Sequence, residues 1–279
     1  MNFLGLGDNV VDCYLDQGLY YPGGNAVNVA VNAKRDGADR VAFMGILGDD
    51  PESSHLQWAL QQEGVTYEHC RRVYAPTAHP AVKLDEEGDR VFVGGPQDTA
   101  QHLFRIRLTK DDLQYIGGFD LCHTSCYSGI EPEIENLSKV VPVSFDFSNR
   151  HDEPYIRQIV PFLRMAFFSG SELTDSELAF ILDTCTQAGV EVVGITRGSE
   201  GALFSVNGKE YRQKAKPLNQ VVDTMGAGDS FIAAFLVRYF EKLSVEECLP
   251  YAAERAAATC QFYGAFGYPK PFEKGYKHA

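Results

Sequence analysis

Strand-like apolar runs alternate with helix-like segments along most of this chain. Residues 3–7 and 41–46 have the composition of buried strands, and residues 25–36 between them have that of a largely buried helix. Strands that alternate with helices at this spacing pair in parallel, and helices then cover both faces of the sheet. The alternation therefore predicts an α/β fold on a mostly parallel sheet. Further strands are predicted at residues 120–123, 141–147, 165–168 and 190–195.

Capping signals mark the starts of three more helices. Asp50 followed by Pro51 places an N-cap carboxylate before a proline at the first helical position, which predicts a helix to about residue 63. Residues 174–177 and 244–247 each place a hydroxyl three residues before a glutamate, the pattern of a capping box. The positions of these helices agree with the α/β arrangement.

Two segments, residues 12–21 and about 77–95, do not follow the alternation. The second contains two short strand-like runs, 80–84 and 90–93, joined by a turn at 85–89. We expect these segments to form a small antiparallel lid beside the sheet, within a single domain of residues 1–279. A lid excludes water, which favours an enzyme of group transfer. The alternative is an extension of the sheet without such a role.

The charge balance of the 279 residues argues against several kinds of partner. The chain has 25 Lys and Arg against 38 Asp and Glu, a formal net charge of −13, and its cations are not clustered. Such a chain repels phosphate backbones and anionic lipids. The longest purely apolar run, 231–237, is far shorter than the roughly twenty residues that cross a bilayer. Because no basic residue precedes the first apolar run, a secretory signal is not expected either.

The seven cysteines are odd in number and form no Cys-x-x-Cys pair, which is typical of a reducing compartment. We therefore expect a cytoplasmic protein that binds neither nucleic acid nor membranes. The densest cluster, residues 122–126, contains Cys122, His123 and Cys126. It could hold zinc, but buried small side chains are the favoured interpretation because no second Cys/His pair complements it.

Residues 221–235 carry the strongest chemical signal. A β-branched pair leads into Gly226, Ala227 and Gly228, and a nearly all-apolar helix follows. Backbone amides that converge at a helix N-terminus bind anions, because the helix dipole adds positive potential there. Asp229, in the first helical turn, is then placed to take a proton from a hydroxyl beside a bound phosphoryl group. The alternative is a tight turn followed by a helix-capping carboxylate.

With Asp223 and Thr224 before it, this segment resembles the C-terminal signature of the ribokinase-like carbohydrate kinases, the PfkB family. Residues 23–30 resemble the family's other signature, a Gly-Gly turn followed by a helix that bears Asn. Residues 196–201 resemble its nucleotide loop, although alone they would suggest a β-turn. The resemblance implies a ribokinase-like fold and an ATP-dependent sugar kinase.

The resemblance also assigns roles to individual residues. It makes Asp229 the general base and Gly226, Ala227 and Gly228 the anion hole. The residues that it assigns to the sugar-derived substrate are Asp12, Gly23, Gly24, Asn25 and Asn28; Asn25 stands where some members carry Lys. The residues that it assigns to ATP are Thr196, Gly198 and Gly201.

For metal ions the resemblance is less complete. The family's Asn-x-x-Glu motif appears as residues 169–172, which keeps the acid Glu172 and loses the amide. Glu172 is expected to hold Mg²⁺ through water, because magnesium retains much of its hydration. Some relatives bind a monovalent cation, such as K⁺, near the position of Asp223 and the loop around Gly264. A homodimer through the lid is a further family expectation.

Within the family, residues 7–12, 23–28, 89–92 and 145–148 most resemble bacterial fructoselysine 6-kinases. The expected reaction is transfer of the γ-phosphoryl group to a primary hydroxyl, preferably the 6-hydroxyl of fructoselysine or another fructosamine. Arg90 could hold a substrate carboxylate, because guanidinium groups suit that geometry, or it could be a solvated cation at the edge of the lid. Another small sugar or a nucleoside is the alternative substrate.

Two rival functions belong to other classes. A non-catalytic sugar-binding protein could retain the fold without the reaction. An NAD-dependent oxidoreductase could use Gly5 and Gly7 as part of a dinucleotide fingerprint, but Val10 stands at the third position of that pattern.

Overall fold

A nine-stranded sheet and a five-stranded sheet organise the computed structural model, which describes residues 1–84 and 90–272. The strands are β1 (Asn2–Gly7), β2 (Val10–Tyr14), β3 (Leu19–Gly23), β4 (Arg40–Leu47), β5 (Arg71–Arg72), β6 (Ala81–Leu84), β7 (Arg90–Gly94), β8 (Leu121–Ser125), β9 (Val143–Asp146), β10 (Met165–Ser169), β11 (Val192–Thr196), β12 (Ala202–Val206), β13 (Lys209–Gln213) and β14 (Lys270–Pro271). The α-helices are α1 (Asn25–Arg35), α2 (Pro51–Gln62), α3 (Ala100–Leu103), α4 (Lys110–Ile116), α5 (Ile134–Ser138), α6 (Glu153–Ile159), α7 (Asp175–Gln187), α8 (Ala227–Phe240) and α9 (Val245–Thr259).

The larger sheet has the order β13-β12-β11-β10-β9-β8-β1-β4-β5. All pairings from β5 to β11 are parallel, and β12 and β13 add an antiparallel edge. Successive side chains of a strand point to opposite faces: Phe3 packs in one hydrophobic core and Leu4 in the other. Residues of α1, α8 and α9 complete the first core, and residues of α5, α6 and α7 the second. The predicted fold class is confirmed.

The predicted capping signals form hydrogen bonds in the structure. The Asp50 carboxylate accepts a hydrogen bond from the Ser53 amide at the start of α2. Reciprocal capping boxes join Thr174 to Glu177 before α7 and Ser244 to Glu247 before α9. Each box satisfies amides that a helix start leaves without intrahelical partners.

The smaller sheet has the order β14-β3-β2-β6-β7 and is antiparallel except where β2 and β6 pair in parallel. It takes β2 and β3 from the first segment that the sequence sets apart, and β6 and β7 from the second. The turn predicted at residues 85–89 lies outside the described residues. No pattern in the sequence indicated β14, a two-residue strand that pairs with β3.

The register of the parallel strands brings several strand ends to one edge of the larger sheet. Ser125 at the end of β8 pairs with Asp146 at the end of β9, and Ser169 of β10 pairs with Thr196 of β11. Ligands of open parallel sheets bind at this carboxyl edge. After β1 the chain enters β2 and not a helix, so the dinucleotide fingerprint considered for Gly5 and Gly7 lacks the helix that it needs. Within the described ranges, no helix combines the length and the apolar character needed to span a bilayer.

Candidate active site

The N-terminus of α8 lies where the sequence places an anion-binding turn. Gly226 is the N-cap residue and has a left-handed backbone, with φ of 73°. A Cβ atom on Gly226 would lie 2.4 Å from Cβ of Ala265. The close approach of these two segments of the backbone therefore also requires glycine. Gly226 has no side chain that could cap this helix start. The Ala227 amide donates to the Thr224 carbonyl at 3.2 Å.

Asp229, the third residue of α8, is held by two amides of α1. Asn25 Nδ2 donates to Asp229 Oδ1 at 2.8 Å, and Asn28 Nδ2 donates to Asp229 Oδ2 at 2.7 Å. The structure thus brings together the two sequence signatures, and both oxygens of the carboxylate have fixed directions. Asp229 is half-buried, whereas Gly228 beside it is exposed to solvent.

Asp8 caps α1 from outside the helix, a role that the sequence analysis missed. The N-cap residue of α1 is Gly24, with φ of 105°, and a Cβ there would lie 2.8 Å from Cα of Asn9. Because Gly24 has no capping side chain, the Asp8 carboxylate accepts the amide hydrogens of Asn25 at 2.7 Å and Ala26 at 3.4 Å. Asp8 also accepts hydrogen bonds from the hydroxyls of Ser125 and Ser128.

Asn25 also connects the site to the buried ends of β8 and β9. Its Nδ2 donates to Asp146 Oδ2 at 2.8 Å, and its Oδ1 accepts from His123 Nε2 at 3.1 Å. Burial lowers the pKa of His123 to about 3, so the ring is neutral, and the Ser144 hydroxyl donates to its other nitrogen at 2.9 Å. The donor on His123 therefore keeps the amide nitrogen of Asn25 turned toward the two carboxylates.

Two carboxyl groups, the buried Asp146 and the half-buried Asp229, thus lie against the same amide. Burial, with a smaller contribution from the negative charge of Asp229, raises the pKa of Asp146 to about 7. The raised pKa favours the protonated form of Asp146, which limits the repulsion between it and Asp229. The sequence analysis noted the segment of Asp146 as a family stretch and did not place it in the site.

The cluster of residues 122–126 contributes His123 to this network and buries its two cysteines. Cys122 and Cys126 are almost inaccessible to solvent, and burial raises the pKa of both thiols. Residues 1–84 and 90–272 contain no group of three or more His, Cys, Asp or Glu side chains that could hold a metal ion. The zinc interpretation of this cluster therefore has no support within those ranges.

The Gly-Gly turn before α1 lies against Asp12 of the smaller sheet. Asp12 is buried in β2, and a Cβ on Gly23 would lie 2.3 Å from Asp12 Oδ2. A side chain at Gly23 would thus displace the carboxylate. Asp12 and Gly23 are therefore in contact, and Gly24, Asn25 and Asn28 follow Gly23 along the chain. The side chain of Arg90 lies outside the part of the structure that is described.

Asp223 joins three parts of the chain. Its carboxylate accepts hydrogen bonds from the Tyr14 hydroxyl, the Met225 amide at 2.9 Å and the Gly264 amide at 2.8 Å. Burial and the neighbouring Asp223 raise the pKa of Tyr14, which keeps the phenol protonated as the donor. Asp223 therefore connects β2 to both the turn before α8 and the segment after α9.

The segment that resembles a nucleotide loop follows β11. Gly198 and Gly201 have left-handed φ values of 53° and 96°, and a Cβ on Gly201 would lie 2.0 Å from the Gln213 carbonyl oxygen. Gly201 therefore packs directly on the segment that follows β13. A few residues further along this segment lies a cavity of about 340 Å³, which is lined by Pro217, Leu218, Asn219, Gln220, Val222 and Gln261.

Glu172 is an exposed carboxylate three residues beyond β10. It lies on the same sheet edge as Thr196, because the last residues of β10 and β11 pair with each other. A single carboxylate fits Mg²⁺, which commonly uses one or two carboxylates together with waters and substrate phosphates. It would not suffice for a metal that needs an all-protein set of ligands.

These features define the class of protein. A helix N-terminus that offers its amides and a carboxylate, at the carboxyl edge of a parallel sheet with a smaller sheet beside it, is the arrangement of a ribokinase-like kinase. The solved structure of Arabidopsis thaliana ribokinase complexed with ribose and ATP has the same fold, with a TM-score of 0.78 at 24% identity over 95% of this chain and 94% of that chain.

The chain belongs to the pfkB family of carbohydrate kinases, whose model matches residues 6–271, and it is an ATP-dependent sugar kinase. It is similar to fructosamine kinase FrlD of Bacillus subtilis (strain 168), with 43% identity over 98% of this chain and 95% of that protein. It is also similar to fructoselysine 6-kinase of Escherichia coli (strain K12), with 31% identity over 94% of this chain and 98% of that protein.

Proposed function

We propose that the protein transfers the γ-phosphoryl group of ATP to the 6-hydroxyl of fructoselysine or a related fructosamine. The observation that carries the kinase chemistry is the position of Asp229 in the first turn of α8, behind the N-cap Gly226, with both carboxylate oxygens held by Asn25 and Asn28. The names of the two relatives support the fructosamine substrate.

In this mechanism Asp229 accepts the proton of the primary hydroxyl as that oxygen attacks the γ-phosphorus, and the bond from the γ-phosphorus to the bridging oxygen breaks so that ADP leaves. The amides at Gly226, Ala227 and Gly228 would donate hydrogen bonds to the phosphoryl oxygens as charge develops on them, and that of Ala227 would exchange its bond to the Thr224 carbonyl for one to the phosphate. Bound Mg²⁺ would neutralise negative charge on the phosphates, and Glu172 would hold it through water.

The sugar would lie on the surface formed by Asp12, Gly23, Gly24 and Asn28. A carboxylate such as Asp12 accepts hydrogen bonds from two hydroxyls, and the missing side chains of the two glycines leave room for the ring. We further propose that the smaller sheet acts as a lid over this surface, with boundaries at about 12–21 and 77–95 in a single domain of residues 1–279.

The nucleotide would extend from the mouth of α8 toward Thr196, Gly198 and Gly201. The 340 Å³ cavity along residues 217–222 would then receive the base, since it follows directly on the chain against which Gly201 packs. A monovalent cation, K⁺, near Asp223 is part of the same proposal. It is tested by comparing turnover in potassium and tetramethylammonium salts.

Two properties of the whole molecule complete the proposal. The seven free cysteines support a reducing compartment, the cytoplasm. A homodimer through the smaller sheet would cover the exposed Val91, Phe92 and Val93 of β7. Light scattering of the wild type and of Phe92→Lys tests it, with a dimer mass expected only for the wild type.

The experiment that tests the function is a coupled ADP-release assay with fructoselysine, other glycated amino acids, free hexoses, ribose and nucleosides. The proposal expects the largest kcat/KM with a fructosamine. Activity confined to nucleosides would overturn the substrate and leave the kinase class standing. Binding of sugar without any substrate-dependent ADP release would instead favour the non-catalytic sugar-binding protein.

A further inference from the structure

A crevice borders the candidate active site on the side of Asp8. Its lining includes Asp8, Gln101, Phe104, Ile106, Tyr127 and Ser128. None of these side chains bonds Asp229 directly; Asp8, Tyr127 and Ser128 belong to the wider hydrogen-bond network around it. The crevice therefore adds a second surface to the site, made by the loop after β8 and the segment after α3.

The crevice and the reaction site share two connections. Asp8 lines the crevice and also holds the amide of Asn25. Tyr127 lines it too, and its hydroxyl donates to the Ser148 hydroxyl oxygen at 2.9 Å, while the Ser148 amide donates to Asp146 at 2.8 Å. The crevice is therefore connected through Asp8 and Tyr127 to the network that holds Asp229.

Two aromatic side chains that line the crevice are exposed to solvent. Phe104 is 42% and Tyr127 is 53% exposed, although both have rings that could be buried. Exposed aromatic side chains that line a concave surface are typical of ligand contacts. In addition, the buried Oε1 of Gln101 has no hydrogen-bond partner in the described part of the chain. An unsatisfied buried acceptor is unfavourable unless a ligand supplies a donor.

An acidic and a basic residue lie at the crevice. Asp8 lines it. The exposed Arg105 lies beside it, because its Nη1 is 2.8 Å from the position that a Cβ on Gly129, next to Ser128, would occupy. Within residues 1–84 and 90–272, Arg105 forms no ion pair, whereas nearby Arg107 pairs with Glu133 at 3.5 Å.

We propose that this crevice binds the amino-acid part of the fructosamine, with Arg105 holding its carboxylate. In a fructosamine the amine is attached to carbon 1, at the opposite end of the sugar from the 6-hydroxyl. A substrate whose 6-hydroxyl lies at Asp229 therefore directs its cationic amine toward Asp8 and Gln101. Its aliphatic chain packs between Phe104 and Tyr127, and its carboxylate meets the guanidinium fork. This inference rests on the proposed function and adds the specificity for an amino acid.

The test compares two substrates that differ only in the carboxylate. Fructoselysine is compared with the fructose conjugate of cadaverine, which is the same molecule without its carboxylate. For the wild type we expect kcat/KM to be at least tenfold higher with fructoselysine. For Arg105→Gln we expect the two values to lie within twofold of each other, with kcat/KM for the cadaverine conjugate unchanged. That unchanged value also shows that the variant folds.

Arg107→Gln is the matched control, because Arg107 is an equally exposed neighbour that already has a carboxylate partner. It should keep the wild-type preference. The inference is overturned if the wild type does not distinguish the two conjugates, or if Arg105→Gln keeps the preference. It is also overturned if Arg90→Gln removes the preference and Arg105→Gln does not. If the wild type phosphorylates neither conjugate but does phosphorylate another sugar, the proposed fructosamine function itself fails.

Discussion

Asn28 and Asp229 are 201 residues apart in the chain, and Asn28 Nδ2 lies 2.7 Å from Asp229 Oδ2. The bond joins the first helix to the first turn of α8, so the proposed base depends on a helix that belongs to the sugar surface. A change in the start of α1 is therefore expected to change the reaction as well as sugar binding.

The first prediction concerns the base itself. Asp229→Asn should lower kcat by about a hundredfold or more, because the amide cannot accept the hydroxyl proton. Binding of ATP, measured by calorimetry, should remain within about threefold of the wild type, since the α8 amides are retained. Asp175→Asn, an exposed acid in the first turn of α7, should leave kcat unchanged. Near-normal turnover of Asp229→Asn would reject the assignment.

The second prediction concerns the cap that Asp8 provides. Asp8→Ala leaves two amides and two hydroxyls without their acceptor in a buried place, which should lower the free energy of unfolding by about 3 kcal/mol. Asp152→Ala, which removes an exposed N-cap at α6, should lower it by only about 1 kcal/mol. Chemical denaturation measures both values, and equal losses would contradict the special role of Asp8.

The third prediction concerns His123. His123→Leu removes the donor that orients the Asn25 amide, and we expect kcat to fall about tenfold, with the KM for ATP within about twofold of its wild-type value. His123→Gln can place an amide donor near the position of Nε2 and should recover most of this loss. If the two variants have the same kcat, orientation of Asn25 is not the function of His123.

The fourth prediction concerns pH and Asp146. Since burial raises the pKa of this carboxyl from 3.8 in the unfolded chain to about 7, the folded protein binds the extra proton between these values. The stability that the proton contributes is complete below about pH 4 and is lost as the pH rises to about 7. As the pH rises over this range, the unfolding free energy of the wild type should therefore fall relative to that of Asp146→Asn. A constant difference, measured by denaturation from pH 4 to 8, would contradict the raised pKa.

The fifth prediction separates the two glycines of the turn. Gly226→Ala should destabilise the protein by about 2 kcal/mol or more, because it combines a left-handed backbone with a clash against Ala265. A Cβ on Gly228 meets no atom within 4 Å, so Gly228→Ala should leave stability unchanged or slightly raised. If the proposed phosphoryl site is correct, Gly228→Ala lowers kcat nevertheless, because its methyl group lies where the phosphate approaches. Wild-type turnover of Gly228→Ala would place the phosphate elsewhere.

The sequence predicts a feature well where the residues that form it lie within one short segment. The box of Thr174 and Glu177 depends on residues three apart, and it forms as expected. The signatures around Asn28 and Asp229 could be read because each is a continuous segment, and the structure adds only that they meet. The alternation of strands and helices likewise determined the larger sheet.

The features that sequence missed depend on contacts between distant segments. Asp8 acts as a cap for a helix that starts 17 residues later, after two strands of another sheet. His123 looks like part of a buried strand, and its partner Asn25 lies 98 residues earlier. No local pattern marks either residue, because hydrogen bonds of this kind follow from the register of β1 and β8 and not from neighbouring side chains.

The three hydrogen bonds of Asp223 have a mechanical consequence. Tyr14 belongs to the smaller sheet, the proposed lid, whereas Met225 directly precedes the turn proposed to bind phosphate. A tilt of that sheet must either break the Tyr14 bond or pull on the turn. If the proposed sites are correct, arrival of an acceptor would be transmitted to the donor site through the side chain of Asp223.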